Sequence, residues 1–206
     1  RPELPRACAV VNPHRPDCPY PFKDLAGVGV VFKLISAYEE KTSGDSRSNV
    51  ALRIFTDYAD LVAIGTIADV MPVREENRII VKYGLHMIEN RPRLGLSALI
   101  EAATGGTQDG KDKRKKTQKI TSGYIGYTLA PRINAAGRIL SASIAVELFL
   151  AEDYARALSI AKELCRANNE RKAEENKIMK EAYEQIGNLD IDRGPVIVLD
   201  ADPWHH

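Results

Sequence analysis

The feature that most constrains the fold is a long segment, from Asp153 to about Ile186, whose pattern predicts one continuous helix. Apolar residues recur at helical spacing at its start (Ala157, Ile160, Ala161, Leu164) and again at its end (Ile178, Met179, Ala182, Ile186). Residues 168–177 between them are polar on almost every face. Such a helix would be roughly 50 Å long. Because it is apolar at both ends and polar in the middle, it is typical of a connection between two bodies.

The segments on either side of this helix predict an α/β fold in three parts. Before it, Ala7–Val11 resembles a buried strand, and helices are expected over residues 25–42, 56–68, 75–90, 97–103, 120–129 and 141–150. After it, Pro195–Asp200 reads as a strand that opens a new unit. We therefore predict a mostly helical domain over 1–152, a linker helix over 153–187 and the start of a second domain over 188–206.

Composition places the chain among ordinary globular proteins. It has 206 residues, of which 44% are hydrophobic and 28% charged, and no apolar run approaches the roughly 18 residues that cross a bilayer. Three cysteines without a CxxC spacing argue against a disulfide framework or a zinc knuckle, so we expect a reducing, cytoplasmic compartment. Neither end has the features of a natural terminus, and we interpret the sequence as an internal part of a longer protein.

Two guanidinium groups and a carboxamide are concentrated in Pro131–Arg138. Arg132 and Arg138 offer fork-shaped donors and Asn134 offers an amide, which suits phosphate oxygens. The small residues Ala135-Ala136-Gly137 would let a polyanion approach the backbone. The segment therefore predicts a loop that binds phosphate groups.

Asp69 lies at the end of the mostly apolar run that follows Asp60, directly before Val70-Met71-Pro72. One interpretation is a residue that caps the end of a helix. The other is a metal ligand, since a carboxylate at the end of a buried element is rigid and suits Mn²⁺ or Mg²⁺. No cluster of His or Asp accompanies it, so the residues alone leave both open.

Two further polar segments have two interpretations each. Asn168, Asn169, Glu170 and Arg171 in the long helix are either solvated or in contact with a ligand that lies in a groove beside it. Lys111–Lys119 carries six basic residues against one acid, which favours a solvated loop over an electrostatic contribution to nucleic-acid binding.

Together these motifs resemble the bacterial RecJ exonucleases of the DHH phosphoesterase family. Residues 12–30 are similar to the segment that follows the family's Asp-His-His motif, and Asp60–Pro72 is similar to its fourth motif. Pro131–Arg138 resembles the family's Arg-Ile-Asn-Ala-Ala-Gly-Arg element, and Trp204-His205 the start of a Trp-His motif in the DHH-associated domain. The motifs occur in the family's order and span nearly the whole sequence.

The resemblance implies a single-stranded-DNA exonuclease of recombination and repair that degrades 5′ to 3′ with Mn²⁺ or Mg²⁺. It implies an α/β DHH domain, a long linker helix and a DHH-associated domain, with DNA in the groove between them. Asp69 would bind metal, and Arg132, Asn134 and Arg138 would line the DNA path. The linker helix would present Asn168, Glu170 and Arg171 to the same path; the family's Gln after the Glu-Arg pair is Lys172 here. A helicase and a single-strand-binding protein are further candidate partners, and no membrane is implied.

The first, second and Asp-His-His motifs of the family are absent from the 206 residues, as is the phosphate-binding part of the DHH-associated domain. Because a two-metal site needs several ligands, the isolated chain is expected to have no nuclease activity. Two alternatives stay open: a DHH phosphoesterase acting on short oligonucleotides or cyclic dinucleotides, and a non-catalytic scaffold with the same fold.

Overall fold

A computed structural model describes residues 4–105, 119–139, 141–187, 196–202 and 204, with the side chains of residues 138 and 139 outside that description. All regular structure in these ranges is helical. The helices are α1 (Gly27–Thr42), α2 (Arg47–Ala68), α3 (Glu75–Asn90), α4 (Leu94–Ala103), α5 (Ser122–Tyr124), a π-helix (Ile125–Leu129), α6 (Ala130–Ile139), α7 (Ala142–Leu150) and α8 (Tyr154–Gly187). In the described part of the chain, no helix is both long and apolar enough to cross a membrane.

The first three helices form one layer, in which α2 packs against both α1 and α3. Their shared core consists of Phe32, Val50, Ile54, Val62 and Ile80. The prediction that α2 starts near Thr56 is wrong, because Ser46 caps the helix ten residues earlier by accepting a hydrogen bond from the Asn49 N–H at 3.4 Å.

A second core forms where α4, α6 and α7 pack against the first half of α8. Its fully buried large residues include Leu96, Leu99, Leu129, Leu148 and Leu164. The backbone of α4 closely approaches α7, since a β-carbon at Gly95 would lie 2.0 Å from the carbonyl oxygen of Leu148. This core fixes the position of α6 relative to α8, on which the candidate site depends.

The long helix is present as predicted, as α8, but its two halves differ. The residues from Ala157 to Asn168 include six that are buried, whereas none of the described residues beyond Asn168 in α8 is buried. The described C-terminal residues contact the second half: Trp204 Nε1 donates to Glu181 Oε2 at 2.8 Å, and Gln185 Nε2 donates to the Asp200 carbonyl at 3.3 Å. The division into three parts stays a prediction.

The two predicted strands are not formed in the described part of the chain. Ala7–Val11 is largely exposed and has no strand partner there, and the described residues 196–200 are likewise irregular and mostly exposed. A strand is stabilised by hydrogen bonds to a neighbour, and an apolar run alone supplies none. The α/β class therefore stays a prediction, while the helical part is confirmed.

The segment Pro131–Arg138 is not a loop but lies within α6, which continues directly from the π-helix. Its Ala135 and Ala136 are buried in the protein interior and do not offer their backbone to a ligand. Ile133 and Ala136 contact the second core at helical spacing, which explains why this segment folds as a helix. Of the basic run Lys111–Lys119, only the exposed Lys119 lies within the described residues.

Candidate nucleic-acid interface

Arg132 is the residue of the predicted set that the structure holds most firmly. It lies in the first turns of α6 and is partly buried. Its Nη1 donates a hydrogen bond to the carbonyl oxygen of Thr128, which belongs to the π-helix. Its Nε is buried and has no hydrogen-bond partner in the described structure. One edge of the guanidinium is therefore held by the protein, and Nη2 has no protein partner among the described residues.

The turn before Arg132 departs from regular α-helical hydrogen bonding. In this turn the backbone N–H of Ala130 bonds to the carbonyl of Ile125, five residues back instead of four. The proline that follows, Pro131, has no N–H to donate to the preceding turn. Both features interrupt the regular ladder just before Arg132, and π-turns of this kind occur frequently at functional sites.

Tyr124 lies eight residues before Arg132 in the same run of helix and was not identified from the sequence. Burial raises the pKa of its phenol, and the positive charge of Arg132 acts in the opposite direction, while Cys165 adds a smaller upward contribution. The Tyr124 hydroxyl is itself buried without a hydrogen-bond partner in the described structure.

Asn168 lies one turn beyond Cys165 on α8, and therefore on the same face of the helix. It is fully buried, and neither its Oδ1 nor its Nδ2 has a partner within the described residues. The helices that carry Arg132 and Asn168, α6 and α8, pack against each other. A strand outside the protein could touch the Asn168 amide only if this packing opened.

The other predicted contact residues lie at the surface of the same two helices. Asn134 on α6 is exposed. Glu170 on α8 is exposed and forms an ion pair with Arg166 at 3.7 Å, and Arg171 forms an ion pair with Glu175. Arg138 lies in α6, and its side chain is outside the described structure. The free charge available to a polyanion here is reduced, because Arg171 is already paired.

Asp69 is exposed at the end of α2, where its backbone N–H bonds to the Gly65 carbonyl. The turn after it is a Schellman motif, in which the Val70 N–H bonds to Ile67 O and the Met71 N–H to Thr66 O, both at 3.1 Å. Val70 adopts a φ of 55° there, a left-handed conformation that is unusual for a β-branched residue. This turn fixes the backbone at Asp69 and so limits the directions its carboxylate can take.

The end of α2 lies next to the π-helix, which connects the two predicted motifs in space. A β-carbon built on Gly126 would lie 3.6 Å from Ile67 Cγ2, two residues before Asp69. In the part of the chain that is described, however, no three His, Cys, Asp or Glu side chains come together as metal ligands would. Asp69 can therefore supply one oxygen ligand to a hard cation, but the described residues do not complete a metal site.

An apolar groove of about 640 Å³ lies elsewhere, between the loop at residues 10–21 and α1. Its walls include Val10, Pro13, Tyr20, Leu34 and Lys33. None of the predicted site residues lines it. Its apolar lining does not suit a polyanion, so we place the candidate interface at the junction of α6 and α8.

No family model matches the sequence. Among curated proteins, the single-stranded-DNA-specific exonuclease RecJ of Bacillus subtilis is 38% identical over 200 residues, which is 97% of this chain and 23% of that protein. RecJ of Haemophilus influenzae is 40% identical over 193 residues, or 90% of this chain and 31% of its own length. The chain thus spans about a quarter to a third of the relatives it matches.

The structure is similar to solved RecJ structures. RecJ from Thermus thermophilus in complex with Mn²⁺ matches with a TM-score of 0.62 and 34% identity, covering 81% of this chain and 22% of that one. An exonuclease RecJ bound to manganese matches with a TM-score of 0.63 and 33% identity, covering 80% and 38%. These matches confirm the resemblance that the motifs predict.

Proposed function

We propose that this chain, which matches a part of the RecJ exonucleases over nearly its whole length, supplies strand-binding residues to a metal-dependent 5′-to-3′ exonuclease acting on single-stranded DNA. The observation that carries the proposal is the match over 97% of the chain to a protein named for that activity. The packing of α6 against α8 supports it, because these two helices carry predicted contact residues from segments 36 positions apart, Arg132 and Asn168.

In this proposal, Arg132, Asn134 and Arg138 bind phosphate or sugar groups of the strand, and Glu170 and Arg171 face it from α8. Contacts of this kind position a strand without reading its bases, so binding should show little sequence preference. Asp69 contributes one oxygen ligand to Mn²⁺ or Mg²⁺, whose role in phosphodiester hydrolysis is to activate water and stabilise charge. Further ligands are needed beyond those the described residues supply.

The proposal is tested by binding of the chain to a fluorescent poly-dT oligonucleotide at several salt concentrations. The variants are Arg132→Ala and Arg138→Ala, and Arg156→Ala is the matched control because Arg156 is an exposed arginine of α8 already paired with Glu147 at 2.9 Å. Loss of one phosphate contact should weaken binding and reduce the slope of log K against log salt by about 0.7. Helical content by circular dichroism checks that each variant folds.

The control variant should keep the slope of the unmodified chain. Absence of binding to single-stranded DNA, or equal slopes for all three variants and the unmodified chain, would contradict the assignment of α6 to the strand path. A marked preference for one base sequence would also argue against it, since phosphate contacts carry no sequence information.

A further inference from the structure

Four buried polar atoms without hydrogen-bond partners in the described structure lie on three side chains of one junction. They are the Tyr124 hydroxyl, Arg132 Nε, and Asn168 Nδ2 and Oδ1. Buried polar groups in native proteins are nearly always paired, so each unpaired group calls for a physical explanation. The three side chains come from α5, α6 and α8, which all contribute residues to one hydrophobic core, and a common explanation is therefore sought.

The three side chains belong to helices that pack around one hydrophobic core. The phenol of Tyr124 interacts electrostatically with both Arg132 and Cys165, and Asn168 follows Cys165 by one helical turn on the same face. Tyr124 and Cys165 also pack against the same hydrophobic core. The polar atoms therefore lie at the border of that core, where solvent does not compete for them.

Their chemistry is complementary. Arg132 Nε and Asn168 Nδ2 are donors, Asn168 Oδ1 is an acceptor, and the Tyr124 hydroxyl is both. A network through internal water, which typically makes about three hydrogen bonds per molecule, would satisfy them. With Nη1 already bound to the Thr128 carbonyl, such a network would hold a second edge of the Arg132 guanidinium.

We infer that Tyr124 and Asn168 are positioning residues that act through Arg132: they fix its guanidinium from the interior so that Nη2 is directed to a phosphate of the strand. This inference rests on the proposed function for the identity of the ligand, but the network itself does not. It also gives Asn168 a role that its complete burial permits, since its amide then acts without touching the strand.

The first test needs no ligand. In the unmodified chain labelled with ¹⁵N-arginine, the Arg132 Nε–H, identified by its loss in Arg132→Ala, should exchange with solvent about tenfold more slowly than exposed arginines. Tyr124→Phe, which removes only the hydroxyl, should abolish most of that protection. Tyr127→Phe makes the same chemical change in the adjacent π-helix, where Tyr127 is 85% exposed, and should leave it unchanged. Unprotected exchange in the unmodified chain, or equal protection in Tyr124→Phe, would overturn the inference.

The second test is a double-mutant cycle on binding to poly-dT. Tyr124→Phe should weaken binding about three- to tenfold in the unmodified chain and have no further effect in the Arg132→Ala background, because it acts through that side chain. Asn168→Leu replaces the amide by an apolar side chain of nearly the same size, and it should have the same effect on binding in each background. Equal losses in both backgrounds would indicate a general structural effect and overturn the inference. If the chain does not bind DNA at all, the proposed function fails, while the exchange experiment still decides the network.

Discussion

At the scale of single residues, Glu76 joins the loop before α1 to the start of α3. It accepts a hydrogen bond from the Tyr20 hydroxyl at 2.6 Å and forms an ion pair with Lys33, whose Nζ lies 5.9 Å from the centre of the Tyr20 ring. Burial alone would raise the pKa of Glu76, but the interaction with Lys33 and the hydrogen bond from Tyr20 outweigh it and leave the pKa below its ordinary value of 4.5.

Because the pKa of the Glu76 carboxyl is lowered in the folded state, the free energy of unfolding depends on pH. Because the folded state binds the Glu76 proton less tightly than the unfolded state, the stabilisation is complete above pH 4.5 and disappears as pH falls through the folded pKa. We expect Glu76→Gln to lower the free energy of unfolding by about 1 kcal/mol at pH 7, since the pair is partly exposed. Urea unfolding at intervals from pH 7 to 3 should show the difference shrinking towards zero; a difference that stays constant would contradict the assignment.

Some residues of the candidate site were predictable from the sequence, and others were not. Arg132 was predictable because guanidiniums in a short apolar segment need a partner. Tyr124 was not, since only the fold brings its phenol under the electrostatic influence of Cys165, which is 41 residues away in sequence. The burial of Asn168 was equally hidden, because an amide in a polar run reads as solvated until the packing of α6 is known.

At the scale of elements, α2 and α3 pack unusually closely at Gly84. A β-carbon there would lie 2.4 Å from both the Ala59 carbonyl oxygen and the Ala63 β-carbon. Neither neighbour can yield easily, because one is helix backbone and the other is attached directly to it. The absence of a side chain at position 84 is therefore what permits this contact between the two helices.

We expect Gly84→Ala to destabilise the protein by about 2–3 kcal/mol through forced separation of the helices, despite alanine's better helix propensity. Gly27→Ala is the matched control, since no atom lies within 4 Å of a β-carbon at that helical glycine. It should be neutral or stabilise by up to about 1 kcal/mol. Urea unfolding at neutral pH measures both; a Gly84→Ala protein as stable as the control would show that the helices separate at little cost.

Periodicity predicted α3 and α8 well because their apolar residues recur over many turns. It failed at the start of α2, where Thr56 looked like a cap. In the structure the Thr56 hydroxyl donates to the carbonyls of Leu52 and Arg53 at 2.9 Å each, within the helix. A threonine can satisfy its hydroxyl in either way, so composition alone does not locate the boundary. The helical conformation of Pro131–Arg138 was hidden for a similar reason, since its polar residues masked the apolar spacing of Ile133 and Ala136.

At the scale of the whole molecule, two cores are joined by α2. Val62 belongs to the core shared with α1 and α3, whereas Ile64 belongs to the one beneath α8. The same helix ends at Asp69, beside the π-helix that precedes Arg132. The relative position of the predicted metal ligand and the predicted strand contacts therefore depends on a single helix.

This arrangement predicts which proteins that contain the chain have nuclease activity. The chain alone should not degrade single-stranded DNA with Mn²⁺, because Asp69 cannot hold the ions by itself. Replacing the matching 38%-identical segment of Bacillus subtilis RecJ by this chain should give a Mn²⁺-dependent exonuclease. Asp69→Asn in that chimera should reduce the rate on the order of 100-fold, and more than Asp57→Asn, an exchange of an exposed carboxylate of the same helix.

The substrates that the chimera degrades distinguish the exonuclease from the two alternative functions. Degradation of long 5′-labelled single strands faster than of dinucleotides supports the exonuclease, and the reverse preference would favour a phosphoesterase of short oligonucleotides. A folded chimera without activity, while the Bacillus subtilis protein is active under the same conditions, would favour a scaffold. Degradation by the isolated chain would contradict the dependence on further ligands.

The uneven burial of α8 has a mechanical consequence. Beyond Asn168 the helix continues for 19 residues to Gly187, about 28 Å at 1.5 Å per residue, while its root is clamped by the core. A tilt of the helix by about 10° at Asn168 would therefore move its end at Gly187 by roughly 5 Å. The residues at this buried root include Asn168, so a small repacking there would become a displacement of roughly 3 Å at Glu181, about 20 Å along the helix, where the Trp204 indole donates its hydrogen bond.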